Sequence, residues 1–495
     1  MPDQPTTVTA SSRREWWLAV VVVSVVVIFR AGVFVFWERA HFDSDQAITG
    51  LMAKHLAEGR AFPVFWYGQS YMLAVESWLA APLFLLFGAS VTALKLPLLG
   101  MNLAIGWLLL RGFVRDLGLR PTIAVIPTLF FALPAAGTSA RLVEANGGNV
   151  EPFLYVLLIW RLRARPILCG LILGLGFVHR EFTLYGFLAL LSVEAATGQL
   201  LTRRDAVRRA VTVAAAAGMW LLTQWVKQFS SGAGPGTSLA DVYRPQDNIS
   251  ALATRICLDP HTVLSGFGRL ATDHWPVLFG TLPQRLRDFG IVSVVSQGAP
   301  WMVFLLMAIV GSAAIGVVRA KVVRGAEFGP FLVLTAVFSV GGYVIGRCGA
   351  IDFYFMRYEL LSILGVAGLA AWFLRVEHSR AVRRSWTALV AIWFVLIALP
   401  QVKLYDEYLR HPPEDVRQTL ISALDARGIR YASSHYWIAY AITFLTDERI
   451  IMKSEDFVRI REYERLVDSQ PKPVWRVARQ PCGEEIMPRV WLCRE

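Results

Sequence analysis

Long apolar stretches recur along this chain from Val20 to Pro400, and they constrain its fold more than any other feature. A membrane-crossing helix needs about 20 mostly apolar residues, and irregular backbone is not tolerated in lipid. The composition agrees, because 55% of the 495 residues are hydrophobic and only 17% are charged. These values exclude a soluble enzyme, a disordered chain and a β-barrel. The sequence therefore predicts an all-α polytopic membrane protein.

The lengths of the apolar stretches predict about eleven transmembrane helices. The first follows Arg13 and Arg14 and covers about residues 16 to 36; it is too long for a signal peptide, and no small-residue cleavage site follows it. The other predicted spans cover about 91–111, 121–138, 149–162, 166–179, 182–198, 208–226, 300–319, 330–346, 354–375 and 385–401.

The positive charges predict the orientation of these helices. Lys and Arg number 49 against 37 Asp and Glu, which gives a net charge of +12. Five basic clusters stand at alternate turns between spans, beginning at Arg111, Arg161, Arg203, Arg319 and Arg375. All five fall inside the cell only if the apolar segment Tyr71 to Gly88 does not cross the membrane. We therefore predict an interfacial or re-entrant helix there and a cytoplasmic N-terminus, and the charge excess no longer indicates nucleic-acid binding.

This orientation leaves three segments outside: residues 37–90, residues 227–299 and the chain from residue 402 onward. We predict a transmembrane domain over 1–401 and a small external α/β domain over 402–495, which is more charged and has a break at Pro412-Pro413. Within that domain the pattern predicts a helix near Glu414–Arg427, a strand Ile429–Ser433, a helix near Tyr436–Leu445 and a strand near Arg449–Lys453.

Four of the five cysteines lie on the predicted external side, namely Cys257, Cys348, Cys482 and Cys493. Cys482 and Cys493 are close enough in sequence to pair across a hairpin. Free thiols are an equal alternative. The pairing of Cys257 with Cys348 also stays open.

Asp43 and Asp45 open the first external loop, directly after a membrane helix and before an amphipathic one. Two carboxylates at this place could hold a general base or a metal ion. The alternative is a helix cap at Ser44 or Asp45, with the acids favoured by the helix dipole. A cap needs only one acid. Two acids without other obvious ligands make a poor divalent-cation site, so we predict no cofactor.

His179-Arg180-Glu181 interrupts an apolar region, and charged side chains at membrane depth are a functional-site hypothesis. The alternative is a self-neutralising turn at the surface. Further charges lie at predicted outer helix ends, where a structural ion pair explains each one equally well: Arg141, Glu144, Glu151, Arg357 and Glu359. Their shared side would suit an anionic lipid headgroup. No nucleotide-binding loop, zinc motif or serine-hydrolase motif is present.

Two stretches of the first loop carry a family resemblance. Phe42 to Ala53 (FDSDQAITGLMA), followed by Phe65 to Tyr71 (FWYGQSY) and Glu76, resembles the first loop of polytopic GT-C glycosyltransferases. More narrowly, it is similar to the bacterial family-39-like branch, related to protein O-mannosyltransferases and the lipid A aminoarabinose transferase. Gly170 to Arg180 and Arg357 to Leu361 (RYELL) are also similar to family segments.

The resemblance implies the roles of individual residues. Asp45 matches one acid of the family's usual pair, Gln46 stands at the second, and Asp43 is the nearest spare carboxylate. We predict Asp45 as the catalytic base with Asp43 as its helper or replacement. Arg180 stands near the family's phosphate-binding Lys, and we predict that it binds the donor phosphate with His179 and Arg357. Weaker candidates for substrate binding are Gln46, Tyr67, Gln69, Glu76, Arg141, Glu151 and Tyr358.

The predicted function follows from the resemblance. It implies an enzyme of the bacterial inner membrane that moves a sugar from a polyprenyl-phosphate donor to an acceptor hydroxyl outside the cell, with inversion. The acceptor would be a glycolipid such as lipopolysaccharide, a polysaccharide or a protein. A transporter or flippase for a lipid-linked saccharide is one alternative, but no second half repeats the first-loop pattern. A non-catalytic membrane assembly factor is the other alternative.

Overall fold

The computed structural model describes residues 10–37, 42–69, 71–238, 256, 258–288, 291–296, 298–320, 326–346, 357–413 and 415–494. The described chain is mostly helical, as predicted. Cys257 and Cys348 lie outside the described residues.

The helices are numbered here in chain order. They are α1 (Ala10–Gly32), α2 (Ser44–Ala57), α3 (Val75–Phe87), α4 (Val91–Arg115), α5 (Pro121–Ala132), α6 (Ala136–Arg141), α7 (Glu151–Leu162), α8 (Pro166–His179), α9 (Thr183–Ala196), α10 (Arg203–Lys227), α11 (Pro260–Arg269), α12 (Trp275–Leu278), α13 (Met302–Arg319), α14 (Phe328–Gly346), α15 (Ser362–Val376), α16 (Arg380–Arg410), α17 (Val416–Ala426), α18 (Tyr436–Leu445) and α19 (Arg461–Asp468).

Six helical segments of the described chain are long and apolar enough to cross a membrane, which makes this a multi-pass membrane protein. They are Arg13–Trp37, Val91–Arg115, Met302–Arg319, Phe328–Gly346, Arg357–Val376 and Arg380–Arg410. Other predicted spans coincide with shorter helices, such as α5, α8 and α9. The total of about eleven spans stays a prediction.

The predicted non-crossing segment contains helix α3, which has 13 residues. At 1.5 Å per residue it is about 20 Å long, shorter than the roughly 30 Å hydrocarbon core. Gly88, at a φ of +79°, ends α3, and Ser90 begins the next helix by accepting a hydrogen bond from the Ala93 backbone at 3.2 Å. Helices α5, α8 and α9 are about as short and are predicted spans, so the non-crossing of α3 stays a prediction.

The C-terminal segment contains a five-stranded sheet. Its strands are β3 (Tyr431–Ser434), β4 (Ile451–Ser454), β5 (Trp475–Ala478), β6 (Glu484–Met487) and β7 (Val490–Arg494). The spatial order is β4-β3-β5-β7-β6, with β3 parallel to both neighbours and the β5–β7 and β6–β7 pairs antiparallel. Cys482 and Cys493 form a disulfide, which selects one of the two sequence alternatives. A separate hairpin pairs β1 (Gln284–Asp288) with β2 (Ile291–Ser296).

Helix α2 lies between the membrane helices and this C-terminal segment. Asp43 caps α2 by accepting a hydrogen bond from the Gln46 backbone at 3.0 Å. Such a cap satisfies one of the amide groups that a helix start leaves without a partner. Helix α2 packs against α3 on one side and against α18 on the other. The start of α2 is therefore held by α18, a helix that lies nearly 400 residues later in the chain.

Candidate active site

Asp45 stands in the first turn of α2 with different partners for its two carboxylate oxygens. The Tyr436 hydroxyl donates a hydrogen bond to Oδ1 at 2.6 Å. Arg357 Nη1 lies 3.8 Å from Oδ2. The Asp45 side chain keeps 20% of its surface exposed, so the carboxylate is partly open. One oxygen is thus fixed by a hydrogen bond while the other faces a cation.

Tyr436 is itself held firmly by its surroundings. Its carbonyl accepts a hydrogen bond from Ser44 Oγ at 2.6 Å, and its backbone N–H donates to Asp456 Oδ1 at 2.7 Å. Burial, followed by the charge of Asp45, raises the pKa of the Tyr436 hydroxyl well above its usual value. The hydroxyl therefore stays protonated at neutral pH and acts as a donor to Asp45.

The loop between α6 and α7 brings a second carboxylate to Arg357. Glu144 attracts the Arg357 guanidinium across the site. Its Oε2 accepts hydrogen bonds from the Asn146 and Asn149 side-chain amides, both at 3.2 Å, and lies 3.5 Å from Arg141 Nη1. Arg141 is thus placed in the site through Glu144.

Two glycines at the end of this loop connect Glu76 with Arg180. Glu76 Oε2 accepts a hydrogen bond from the Gly147 N–H at 2.8 Å, and Oε1 accepts one from Gly148 at 3.4 Å. The Glu76 and Glu151 side chains also hydrogen-bond each other. Arg180 Nε donates to the Gly147 carbonyl at 2.6 Å. Gly148 has a φ of +110°, and a Cβ there would stand 2.5 Å from Arg180 Cγ, so a side chain would displace the arginine.

Arg180 and His179 have side-chain nitrogens without a hydrogen-bond partner among the described residues. Within the described part of the chain, Arg180 Nη1 and Nη2 have no hydrogen-bond partner, since Gly147 takes only Nε. His179 Nδ1 lies 3.1 Å from the Tyr155 hydroxyl, and its buried Nε2 lacks a partner among the described residues. Tyr358 packs edge-on against Phe182, with ring centres 5.4 Å apart. That contact brings the Arg357 and Arg180 segments together.

Two weaker candidates lie elsewhere. The Tyr67 hydroxyl is 3.2 Å from His55 Nδ1, toward the C-terminal end of α2. The Gln69 backbone N–H donates to the Trp66 carbonyl at 2.9 Å. Among the described residues, no hydrogen bond links Tyr67 or Gln69 to Asp45 or Arg180. Gln46 is fully buried beside the cap of α2. Substrate contact by these three residues stays a prediction.

His55 belongs to a charged cluster that joins α2 to the C-terminal segment, here called the loop–tail cluster; it comprises Lys54, His55, Arg60, Glu448, Glu462 and Tyr463. Glu448 lies 3.0 Å from Lys54 Nζ, 2.8 Å from Arg60 Nη1 and 3.2 Å from His55 Nε2. Burial alone would raise the pKa of Glu448, but hydrogen bonds from His55, Arg60 and Lys54 outweigh it and hold that pKa far below its usual value.

The same cluster contains three groups with the spacing of metal ligands. Ligand atoms of His55, Glu448 and Glu462 lie within 4.8 Å of one another. However, Arg60 bonds to both carboxylates, and Lys54 bonds to one of them. A divalent cation would have to displace these cations, so the donor set fits a salt-bridge cluster better than a metal centre.

The sequence indicated Asp45, Arg180 and Arg357 as candidate site residues but not the contact between Tyr436 and Asp45. Nothing in the sequence links these two residues, which are 391 residues apart. The loop–tail cluster was missed for the same reason. The pair Gly147-Gly148 stands between charged residues in the sequence, but the sequence does not indicate its contacts with Glu76 and Arg180.

Known proteins were compared with the chain by sequence and by structure. Neither a family model nor a curated protein matches it. Among solved structures, apo ArnT from Cupriavidus metallidurans gives a TM-score of 0.53 at 12% identity, over 94% of this chain and 93% of ArnT. ArnT bound to undecaprenyl phosphate gives 0.51 at 13%, over 93% and 92%. The Archaeoglobus fulgidus oligosaccharyltransferase with zinc and sulfate gives 0.50 at 13%, over 93% and 68%.

These likenesses establish the fold. The chain has the GT-C fold of polytopic membrane transferases, as its resemblance in the first loop predicted.

Proposed function

We propose that this protein is a membrane glycosyltransferase that moves a sugar from a polyprenyl-phosphate carrier to an acceptor hydroxyl. The observation that carries the proposal is the partly open Asp45 carboxylate, held by Tyr436 and facing Arg357. The GT-C fold and the undecaprenyl phosphate bound in ArnT support a lipid-phosphate donor. The proposed site of action is the external face of a bacterial inner membrane, with a glycolipid, polysaccharide or protein as acceptor.

In the proposed reaction Asp45 is the general base. Its Oδ2 takes the proton of the acceptor hydroxyl while the acceptor oxygen attacks the anomeric carbon. The bond from that carbon to the phosphate oxygen breaks, and polyprenyl phosphate leaves with the bonding electrons. Base catalysis of this kind typically contributes about 10²- to 10⁴-fold in rate. A single in-line displacement inverts the anomeric configuration.

Arg180 supports the departure of the phosphate. Because Nε is fixed on the Gly147 carbonyl, the two terminal nitrogens form a pre-oriented pair of donors for phosphate oxygens. His179 Nε2 and Arg357 are further proposed donors. Such bonds strengthen as negative charge develops on the leaving group, which lowers the barrier. Neither the base nor the phosphate donors require a metal ion, so we propose metal-independent transfer.

The test is a turnover assay with the purified full-length protein in proteoliposomes. A panel of polyprenyl-phosphate sugars is supplied with cell-envelope acceptors, and released polyprenyl phosphate is measured. Asp45→Asn should lower the release rate by at least about 100-fold. Asp43→Asn is the matched control variant. Because asparagine also caps helices well, the release rate should fall much less in this variant.

Two results would contradict the proposal. Turnover that survives in Asp45→Asn would show that Asp45 is not the general base. Movement of intact donor across the bilayer without release of polyprenyl phosphate would indicate a flippase instead.

A further inference from the structure

The basic clusters of this protein differ in whether acids neutralise them. At the start of α10, Arg208 pairs with Asp205 at 2.8 Å and Arg209 makes a two-pronged ion pair with Glu194. The cluster at the ends of α4 and α7 is different. Within the described part of the chain, Arg111, Arg115 and Arg161 form no salt bridge. Three arginines without a salt bridge are therefore brought together at this second place.

These three arginines line one small cleft of about 40 Å³. Arg115 and Arg161 are close enough to Arg111 to repel its guanidinium, and Arg111 Nε is buried without a hydrogen-bond partner among the described residues.

The single acid in the cleft lining, Asp116, is already engaged. Its Oδ1 accepts from Arg163 Nη2 at 3.3 Å, and its Oδ2 accepts from Trp160 Nε1 at 3.2 Å. The cleft lining thus carries three arginines and a single acid that is already paired with Arg163, an excess of positive charge that suits an anion.

The position of the cleft indicates what kind of anion. Helix α4 has 25 residues and is about 37 Å long, so Arg115 at its end reaches past the hydrocarbon core to headgroup level. The remaining wall of the cleft is apolar and is formed by Leu108, Leu157 and Phe328. Leu157 and Phe328 are buried, so the cleft holds only a small polar group and the rest of a larger ligand has to lie outside it.

We infer that this cleft binds the phosphate of an anionic phospholipid headgroup, in the leaflet opposite the proposed catalytic site. The three arginines supply charge-assisted hydrogen bonds to the phosphate, and the acyl chains extend from the cleft into the bilayer. The bound phosphate relieves the repulsion among the guanidinium groups. The inference rests on the charges and cavity at the α4 and α7 ends and does not depend on the proposed transferase activity.

The test measures lipid binding to the detergent-purified full-length protein by native mass spectrometry. Phosphatidylglycerol is titrated against the wild type and the triple variant Arg111→Gln, Arg115→Gln, Arg161→Gln. The triple variant should bind phosphatidylglycerol at least about tenfold more weakly. Arg115→Gln alone, at an exposed helix end, should weaken binding about threefold and serves if the triple variant does not fold.

The matched control removes three other arginines from the same side of the molecule: Arg380→Gln, Arg383→Gln, Arg384→Gln. These residues lie at the start of α16, which a three-residue linker separates from α15. The guanidinium of Arg375, near the end of α15, lies beside Gly118, just past the cleft. They line no part of the cleft, so this variant should keep wild-type affinity.

An equal loss of phosphatidylglycerol affinity in both triple variants would overturn the inference, because it would indicate nonspecific attraction between the lipid and any arginine on this side. Phosphatidylcholine binding as tightly as phosphatidylglycerol would overturn it too. Inorganic phosphate that competes at the same concentration as the lipid would show a soluble-anion site and would reject the lipid assignment.

Discussion

The hydrogen bond from Tyr436 to Asp45 gives the two carboxylate oxygens different roles. Oδ1 is bound at 2.6 Å, so the side chain has one preferred orientation. Oδ2 then faces Arg357, and the side chain as a whole is 20% exposed. Asp43, two residues earlier, instead turns back to cap α2. At the scale of single residues, Tyr436 is thus a positioning residue and Asp45 the proposed base.

Tyr436→Phe should lower kcat by about 10-fold or more while leaving KM for the lipid donor nearly unchanged. A hydrogen bond to a charged group typically contributes about 1.5–3 kcal/mol, and its loss lets the Asp45 side chain rotate away. Steady-state kinetics in proteoliposomes measure both constants. Tyr431→Phe is the control, because Tyr431 lies in the same C-terminal segment on β3 and has no contact with Asp45. An unchanged kcat in Tyr436→Phe would refute the positioning role.

The sequence was informative about single residues only where a local pattern existed. The sequence predicted a helix cap at Ser44 or Asp45 as the alternative to a base, but the cap is Asp43. Tyr436 could not be assigned, because its partner lies in a different part of the chain and an isolated tyrosine carries no signature. Arg30 was also missed: it is fully buried in the first span and donates to Asn102 Oδ1 at 2.5 Å.

At the scale of elements, the loop–tail cluster holds α2 against the C-terminal segment. Glu448 is its centre, since one carboxylate bonds Lys54, His55 and Arg60. Tyr463 adds a hydrogen bond at 2.8 Å. Because the Tyr436–Asp45 contact lies at the other end of α2, the cluster also keeps the proposed base in register with its partner.

Glu448→Gln should lower the thermal unfolding midpoint by at least about 3 °C at neutral pH, because cations stay buried without their counter-charge. The folded pKa of Glu448 is depressed, so its contribution is fully present above the unfolded value of about 4.3 and is lost as pH falls below it. The difference between wild type and variant should therefore shrink between about pH 5 and pH 3. Scanning fluorimetry across pH measures this.

The control for that experiment is Glu464→Gln on the neighbouring helix α19. Glu464 makes no side-chain hydrogen bond or ion pair within the described residues. The thermal unfolding midpoint of the Glu464→Gln variant should therefore match that of the wild type at each pH. A Glu448→Gln protein as stable as the control at neutral pH would contradict the role of the cluster.

Element prediction succeeded where hydropathy is periodic and failed for strands of only four or five residues. The helix predicted at Tyr436–Leu445 is present with those bounds, and the helix predicted near Glu414–Arg427 is α17. Strands β5, β6 and β7 were missed. Strand β6 begins Glu484-Glu485 at the exposed edge of the sheet, where no buried face imposes an alternating pattern. Helix α19 was missed because only Tyr463 and Val467 are buried on it.

At the scale of the whole molecule, the distribution of charge connects the fold with the proposed activity. Clusters at the ends of α4, α7 and α15 and at the starts of α10 and α16 share one predicted side. The candidate site at Asp45, Arg357 and Arg180 is predicted to lie at the other. A donor with its phosphate outside and a lipid headgroup bound inside would then occupy opposite faces. This separation depends on α3 not crossing the membrane.

Reporter fusions on either side of α10 test that topology. Alkaline phosphatase, active only outside the cytoplasm, should be inactive when fused after Thr202 and active when fused after Gln228, while green fluorescent protein should behave inversely. The reason is that α10 has 25 residues, about 37 Å, and carries Arg203, Arg204, Arg208 and Arg209 at its start. Equal activity at both points would mean that α10 does not cross. A reversed pattern would mean that an earlier segment such as α3 does cross, and it would move the proposed site of transfer to the cytoplasmic face.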